Sequence, residues 1–532
     1  MRDLLLVLVP FGGALLAVCW RENISRPWIL PVTGAIHVIL ALWLLVAPPV
    51  VGAGAWFGFD PLARAVLPVV SILFLMCAIY GVTYLRSRNE RPNRAFVGSL
   101  LLTLGLLSAA HQARHLGLLW ITTEAVTLAV VPLLHFNGTP RAFEATWKYL
   151  LVGGTGMALS LLGSFCLGYA SLYGGGAGDL TFTALAGQGR GLSATWVLVA
   201  WVLLLVGYGT KMGLAPMHAW KPDAYGEAPV MAGAVMAGGV TTVAFTAILR
   251  VRAVVAASGQ GAAVDRSLLA IGLLSVLVGA LMLAGTRDIK RMLAYSSIEH
   301  MGILSFGAAV GGPGLSAALL HVWGNSLVKG SLFLSVGNIH RASGERTTDE
   351  ISGMAQLMPR SAALLVAGLF AATACPPFSL FFSELGVVRA AFEAGHPAAV
   401  AGFLGCLLLV FAGLARVVFA VVDGRPRAVS RSLLNKFPET AGVILPPLAL
   451  LGLSIWLGLS TPGVLREAWR DAVLQLSPPN ATETATEAHP HRPARPGGVR
   501  IIPTGLEAGD AVGGKLPPTH FFGERRPFQP VF

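Results

Sequence analysis

Long apolar runs follow one another along the chain, each closed by a short polar stretch. They lie near 3–21, 28–48, 61–85, 96–112, 115–135, 144–170 and 194–214, then 229–250, 267–285, 290–310, 315–338, 361–386, 397–422 and 441–460. A helix needs roughly 20 apolar residues to cross a bilayer, so the pattern predicts an all-α membrane protein of about 14 spans. The polar stretches test that count independently. Loops after odd-numbered spans hold Arg86, Arg88, Arg91 and Arg94, then Arg287, Lys290 and Arg291, then Arg425, Arg427, Arg431 and Lys436. Loops after even spans are poor in cations, apart from the stretch near Arg250, Arg252 and Arg266. The positive-inside rule places the odd loops in the cytoplasm and both termini on the opposite side.

Composition strengthens this picture. The 532 residues are 55% hydrophobic and only 12% charged, with a mean hydropathy of +0.69. A soluble surface would need about twice that charged fraction. The net charge of +12 sits in loops between apolar runs rather than as a basic stripe on a soluble domain. It therefore reads as a topology signal facing anionic lipid, and no nucleic-acid partner is expected. Cys19, Cys77, Cys166, Cys375 and Cys406 lie in apolar stretches without C-x-x-C spacing, so they read as small core residues. No metal, cofactor or redox centre is expected in this chain. The first apolar run is read as a span rather than a cleaved signal. From about residue 461 the composition shifts, and 480–532 forms a polar tail rich in Pro, Gly and Thr.

Candidate chemistry lies where a membrane protein should avoid charge. Glu124 sits mid-span in Leu118-Leu-Trp-Ile-Thr-Thr-Glu124-Ala-Val-Thr-Leu. Lys211 sits in Leu205-Val-Gly-Tyr-Gly-Thr-Lys211-Met-Gly-Leu-Ala-Pro216, and Glu384 follows Pro376-Pro-Phe-Ser-Leu-Phe-Phe-Ser. A charge at bilayer depth costs a few kcal/mol unless paired or hydrated, so such residues are usually functional. The competing view is a buried Glu–Lys pair that merely locks helices together, but buried pairs are poor stabilisers against apolar replacements. Lys211 and Glu384 each neighbour helix breakers, Gly213 and Pro216 in one case, Pro376 and Pro377 in the other. Irregular backbone at membrane depth is tolerated around cavities or packed protein. Two interrupted spans at matching places in two halves point to inverted repeats with an ion site.

His321, Asn325 and Lys329 share one helix face at i, i+4 and i+8. With His300 in the preceding span they form a candidate relay between Lys211 and Glu384. Lys and Glu suit that role because burial and a neighbouring opposite charge pull their proton affinities in opposing directions, and an interacting pair titrates as a unit. Lys148, four residues after Glu144, reads first as an anchor at the membrane boundary. His218 and Asp223 follow the break in the seventh span and either line a cytoplasmic proton inlet or cap the next helix.

At these residues the chain resembles the antiporter-like membrane subunits shared by respiratory complex I, Mrp-type sodium/proton antiporters and membrane-bound hydrogenases. The strings that carry the likeness are Gly-Thr-Lys211-Met-Gly-Leu-Ala-Pro-Met-His-Ala-Trp-Lys-Pro-Asp223, Arg287-Asp-Ile-Lys-Arg-Met-Leu-Ala-Tyr-Ser-Ser-Ile-Glu-His300-Met-Gly, and the segment from His321 to Asn338. Within that group it is most similar to hydrogenase-4 or formate-hydrogenlyase component F, over roughly residues 60–420. The resemblance implies 14 core helices, two inverted five-helix repeats and a hydrated axis of Glu and Lys, with Glu124, Lys211, Lys329 and Glu384 as conduction residues. It divides the chain into N-terminal helices (1–95), a first repeat (96–252), a second repeat (265–422), a C-terminal helix with its connection (423–479) and the tail (480–532). The chain departs from the family in two places. Many relatives carry Lys or His in the eighth span, where Val230–Ile248 offers only Thr241 and Thr242, and some carry a second His where this chain has Asn325.

The resemblance, with these residues, implies a proton-translocating, non-redox subunit of a multisubunit complex in the cell's inner membrane, with a hydrogenase or quinone-reducing partner expected as its driver. Two other assignments compete with it. The same fold could energise inorganic-carbon uptake or cation antiport with a non-redox partner, or serve as a structural subunit whose charges do not conduct. Other membrane subunits, lipid and protons are the expected partners.

Overall fold

The computed structural model describes residues 2–52, 54–426 and 437–477. The predicted tail and the loop cations Arg427, Arg431 and Lys436 lie outside the described residues. Among the described residues the chain is almost entirely helical, with three isolated bridge pairs in its loops. Helix falls on each of the predicted apolar ranges: α1 (Leu5–Cys19), α2 (Ile29–Val46), α3 (Pro61–Arg86), α4 (Arg94–Gln112), α5 (Leu116–His135), α6 (Pro140–Tyr173) and, after the short α7 (Phe182–Gln188), α8 (Ala194–Met212). Beyond the first break come α9 (Trp220–Glu227), α10 (Val230–Val235), α11 (Thr241–Val255), α12 (Gly261–Gly285), α13 (Ile289–Val310) and α14 (Gly312–Ser343). The short α15 (Met354–Leu357) precedes α16 (Pro359–Ala372), α17 (Ser379–Glu393), α18 (Pro397–Val422), α19 (Ala441–Leu459) and α20 (Gly463–Leu476). Nine helices among the described residues are long and apolar enough to cross a membrane, and α1 and α16 are shorter apolar helices.

Local chemistry sets the helix starts. The Asp60 carboxylate accepts from the Ala63 amide at 2.9 Å and opens α3, Thr139 accepts from Ala142 at 3.1 Å and opens α6, and Asp288 accepts from Lys290 and Arg291 at 2.8 and 3.0 Å to open α13. Breaks are equally local. Gly213 ends α8 in the left-handed region (φ 79°), which a side chain resists, and Pro216 lacks the donor needed to resume. In the second half α16 stops at Ala372 and α17 restarts at Ser379, with Pro376 and Pro377 between.

Helices in the middle of the molecule are buried on nearly every side. α14 is buried from His321 through Ile339, and α3, α10 and α13 surround it. Large apolar side chains of α1, α2, α6 and α18, such as Leu15, Ile39, Phe165 and Leu408, are exposed on the outside of the bundle. Close approach depends on small residues: α6 and α8 meet so tightly that a side-chain carbon at Gly207 would lie 2.5 Å from the Gly156 carbonyl oxygen.

Loops sort onto two ends as the alternation of cations predicted. Loops after odd-numbered spans bond to one another: Arg88 to Asn137 (2.7 Å), Asn137 to the Glu227 carbonyl (2.7 Å), and Arg346 to Glu227 (2.5 Å). Those after even spans likewise pair Phe57 with Ala113 and His115 with Thr181. At that second end Arg250 makes a buried bidentate pair with Asp60 at 2.5 and 3.0 Å. The odd cation of the even loops is therefore a helix tie, not a topology signal. The amphipathic α20 packs beside it, where Asp471 accepts from Arg64 at 3.0 Å and Gln475 donates to Asp60 at 2.9 Å.

Candidate functional site

Two interrupted helices and two long ones place charged groups in the core. α8 ends one residue after Lys211, so the Lys211 ammonium, 1% exposed, projects beside the break rather than into a closed helical wall. It donates to Thr127 Oγ1 on α5 and lies 5.2 Å from the Tyr149 ring centroid, within cation–π range. Thr127 in turn lies 3.3 Å from the Glu124 carboxylate one helical turn away. Glu124 itself is half-buried. The structure thus joins Glu124 to Lys211 through a hydroxyl.

Beyond the break the first turn of α9 contributes a lysine that sequence reasoning passed over. Lys221 is fully buried; its Nζ donates to the Met212 carbonyl at 2.8 Å and lies 5.8 Å from the Tyr225 ring centroid. Its ammonium therefore sits against the residue that follows Lys211. Val230–Ile248 of the predicted eighth span has no basic residue, but Met236–Val240 makes a wide turn between α10 and α11. Asn325 and Ser326 of α14 donate to the Ala237 and Gly238 carbonyls there, at 3.5 and 3.1 Å. Such turns loosen the backbone ladder and recur at functional sites.

The second half gathers more groups. Lys329 Nζ donates to Ser296 Oγ at 2.5 Å, and Glu299 lies one turn further along α13. Glu299 was also missed, although it lies mid-span like Glu124. His300 Nε2 is 3.6 Å from Glu299 Oε2, and His300 Nδ1 shares a hydrogen bond with His321 Nε2 at 3.1 Å. The other nitrogen of His321, Nδ1, bonds to Ser383 Oγ of α17 at 3.0 Å. Glu384 follows on α17, and His300, His321 and Glu384 each present a ligand atom within 4.8 Å of the others. That spacing would suit a metal ion, but the two imidazoles already engage each other directly, a geometry suited to sharing a proton.

Several of these buried polar atoms have no hydrogen-bond partner: Glu299 Oε2, His300 Nε2, Asn325 Oδ1 and Glu384 Oε1. Leaving a buried polar atom without a hydrogen bond is costly. A cavity of about 260 Å³ beside the second break, bordered by Thr373, Ala374, Phe381 and Leu385, reaches both Glu299 and Glu384.

The remaining predicted residues lie apart from this track. Lys148 is half exposed and pairs with Glu144 at 2.7 Å and with Asp223 at 2.8 Å. Asp223 also holds Arg291 at 2.8 Å, so the three residues tie α6, α9 and α13 together at one end. His218 is half-buried in the break, with Nδ1 unpartnered.

Comparison with known proteins gives the chain its family. Residues 113–409, more than half of the chain, match the family described as NADH:quinone oxidoreductase/Mrp antiporter, TM. A hydrogenase-4 component F homolog of Methylacidiphilum infernorum is 33% identical, the alignment covering 83% of this chain and 96% of the relative. NADH-quinone oxidoreductase subunit N of Desulforudis audaxviator is 32% identical over 74% of this chain and 80% of its own. In three dimensions the chain matches a subunit of the archaeal membrane-bound sulfane sulfur reductase with a TM-score of 0.80 at 23% identity, over 90% and 98% of the two chains. The chain belongs to the NADH:quinone oxidoreductase/Mrp antiporter transmembrane family, as a multi-pass antiporter-like membrane subunit related to hydrogenase-4 component F and complex I.

Proposed function

We propose that the protein translocates protons within a multisubunit membrane complex. The route would run from Glu124 through Thr127 to Lys211, across Lys221 to Lys329 and Glu299, and through the His300–His321 pair to Glu384. The observation that carries this reading is the set of buried or half-buried ionisable groups on α5, α8, α9, α13, α14 and α17, several of them held by hydrogen bonds: Lys211 to Thr127, Lys221 to the Met212 carbonyl, Lys329 to Ser296 and His300 to His321. A proton loaded on Lys211 alters what Glu124 and Lys221 feel, so occupancy can pass along without any group crossing the membrane. Interrupted helices at Lys211 and before Glu384 supply carbonyls and cavities where water can enter, as expected if α4–α11 and α12–α18 are inverted repeats within a bundle of 14 spans. Lys148, Asp223 and His218 support the end of the first half, and Asn325 keeps the wide turn of the eighth span facing the track. The loops richest in cations would face the cytoplasm and both termini the opposite side, in the plasma membrane.

The relatives named for hydrogenase-4 and NADH-quinone oxidoreductase favour a redox partner as the driver. Proton uptake into inverted vesicles containing the assembled complex tests the role. Lys211→Met and Glu384→Gln should assemble but move protons at least about tenfold more slowly, a barrier increase of roughly 1.4 kcal/mol. Undiminished pumping in assembled variants would sink the reading and favour a structural charge network instead.

A further inference from the structure

Away from the buried track, the odd-loop end of the molecule contains a second cavity of about 260 Å³ whose lining is strongly cationic. Arg88, Arg91, Lys290, Arg341 and Arg346 border it together with His340. They come from separate loops and helix ends, brought to one place by the contacts among α3, α5, α9, α13 and α14. Carboxylates balance only part of this charge. Glu227 is ion-paired to Arg346 at 2.5 Å, Glu90 stands 4.0 Å from Arg88 Nε, and Asp288 is committed to the Lys290 and Arg291 amides.

The cations are held in place by neutral groups. Arg88 donates to Tyr84 Oη at 3.0 Å and to Asn137 Oδ1 at 2.7 Å, while its buried Nε has no hydrogen-bond partner. Arg341 donates to the Ser87 carbonyl at 3.2 Å, and both guanidiniums lie 5.9 Å from the Tyr84 ring centroid. Lys290, 2% exposed, is fixed by the Ala228 carbonyl at 2.7 Å. Holding like charges this close costs free energy that a bound anion would offset, and donors arriving from several directions suit a tetrahedral oxyanion better than a planar carboxylate.

We propose that this cavity binds a phosphate group, carried by an anionic lipid headgroup or supplied as free inorganic phosphate. Basic pockets between helix ends on the side where loop cations concentrate are suited to headgroups. The site lies outside the proposed proton route and does not depend on it.

The test uses the full-length protein in phosphatidylcholine nanodiscs, with and without phosphatidylglycerol, monitored by native mass spectrometry and by thermal unfolding. Retained phosphatidylglycerol identifies the headgroup. An unfolding temperature raised by inorganic phosphate, but not by chloride at equal ionic strength, identifies the free ion. Either effect should weaken about tenfold or more in Arg88→Gln and in Arg341→Gln, since each removes a charge-assisted donor. Arg341 makes a single weak backbone contact, so Arg341→Gln decides the matter if Arg88→Gln fails to fold. Absence of both effects in the unaltered protein, or equal retention in the variants, would overturn the proposal.

Discussion

Single residues show where the sequence spoke clearly. Glu124, Lys211, Lys329 and Glu384 stand out because charge amid apolar residues is expensive, and the structure places Lys211, Lys329 and Glu384 deep in the core. Glu299 was readable by the same criterion but was passed over beside the more conspicuous His300. Lys221 was not readable in that way. It follows a helix break, where a lysine normally snorkels to water, and only tertiary packing turns it inward. Glu227 offers a test at this scale, outside the spans. Burial alone would raise the affinity of its carboxyl for a proton, but the Arg346 guanidinium outweighs that and holds it below the usual carboxylate value. A depressed folded-state value means that the pair stabilises fully above the unfolded value, about 4.3. That contribution is lost as pH falls through the folded value. Thermal unfolding of the detergent-solubilised protein should therefore show a decline in acid that is shallower in Glu227→Gln; identical slopes would remove the pair from the account.

At the scale of elements, apolar run length located the helices well, because a bilayer imposes one length on every span. It could not foresee the extra short helices in loops, α7, α9 and α15, nor the wide turn of Met236–Val240, which arise from tertiary contacts rather than periodicity. Small residues mark where helices touch. Gly207 on α8 faces the Gly156 carbonyl of α6, so Gly207→Ala should force the two helices apart. The expected cost is about 1–3 kcal/mol, typical of overpacking. Unfolding in mixed micelles measures it, and an unchanged midpoint would show that the two helices can separate freely.

The whole molecule explains a departure that the sequence left open. The eighth span lacks the basic residue of many relatives, which suggested a weak link between the two halves. Lys221 is buried at the junction of α8 and α9, donating to the Met212 carbonyl beside Lys211. The central claim is that this lysine joins the halves into one proton route. Proton translocation per electron, measured in vesicles holding the intact complex, tests it most directly. With Lys221→Met, a substitution of similar volume, the complex should assemble and turn over, while translocation through this subunit falls about tenfold. An assembled variant that moves as many protons per electron as the unaltered complex would contradict the account.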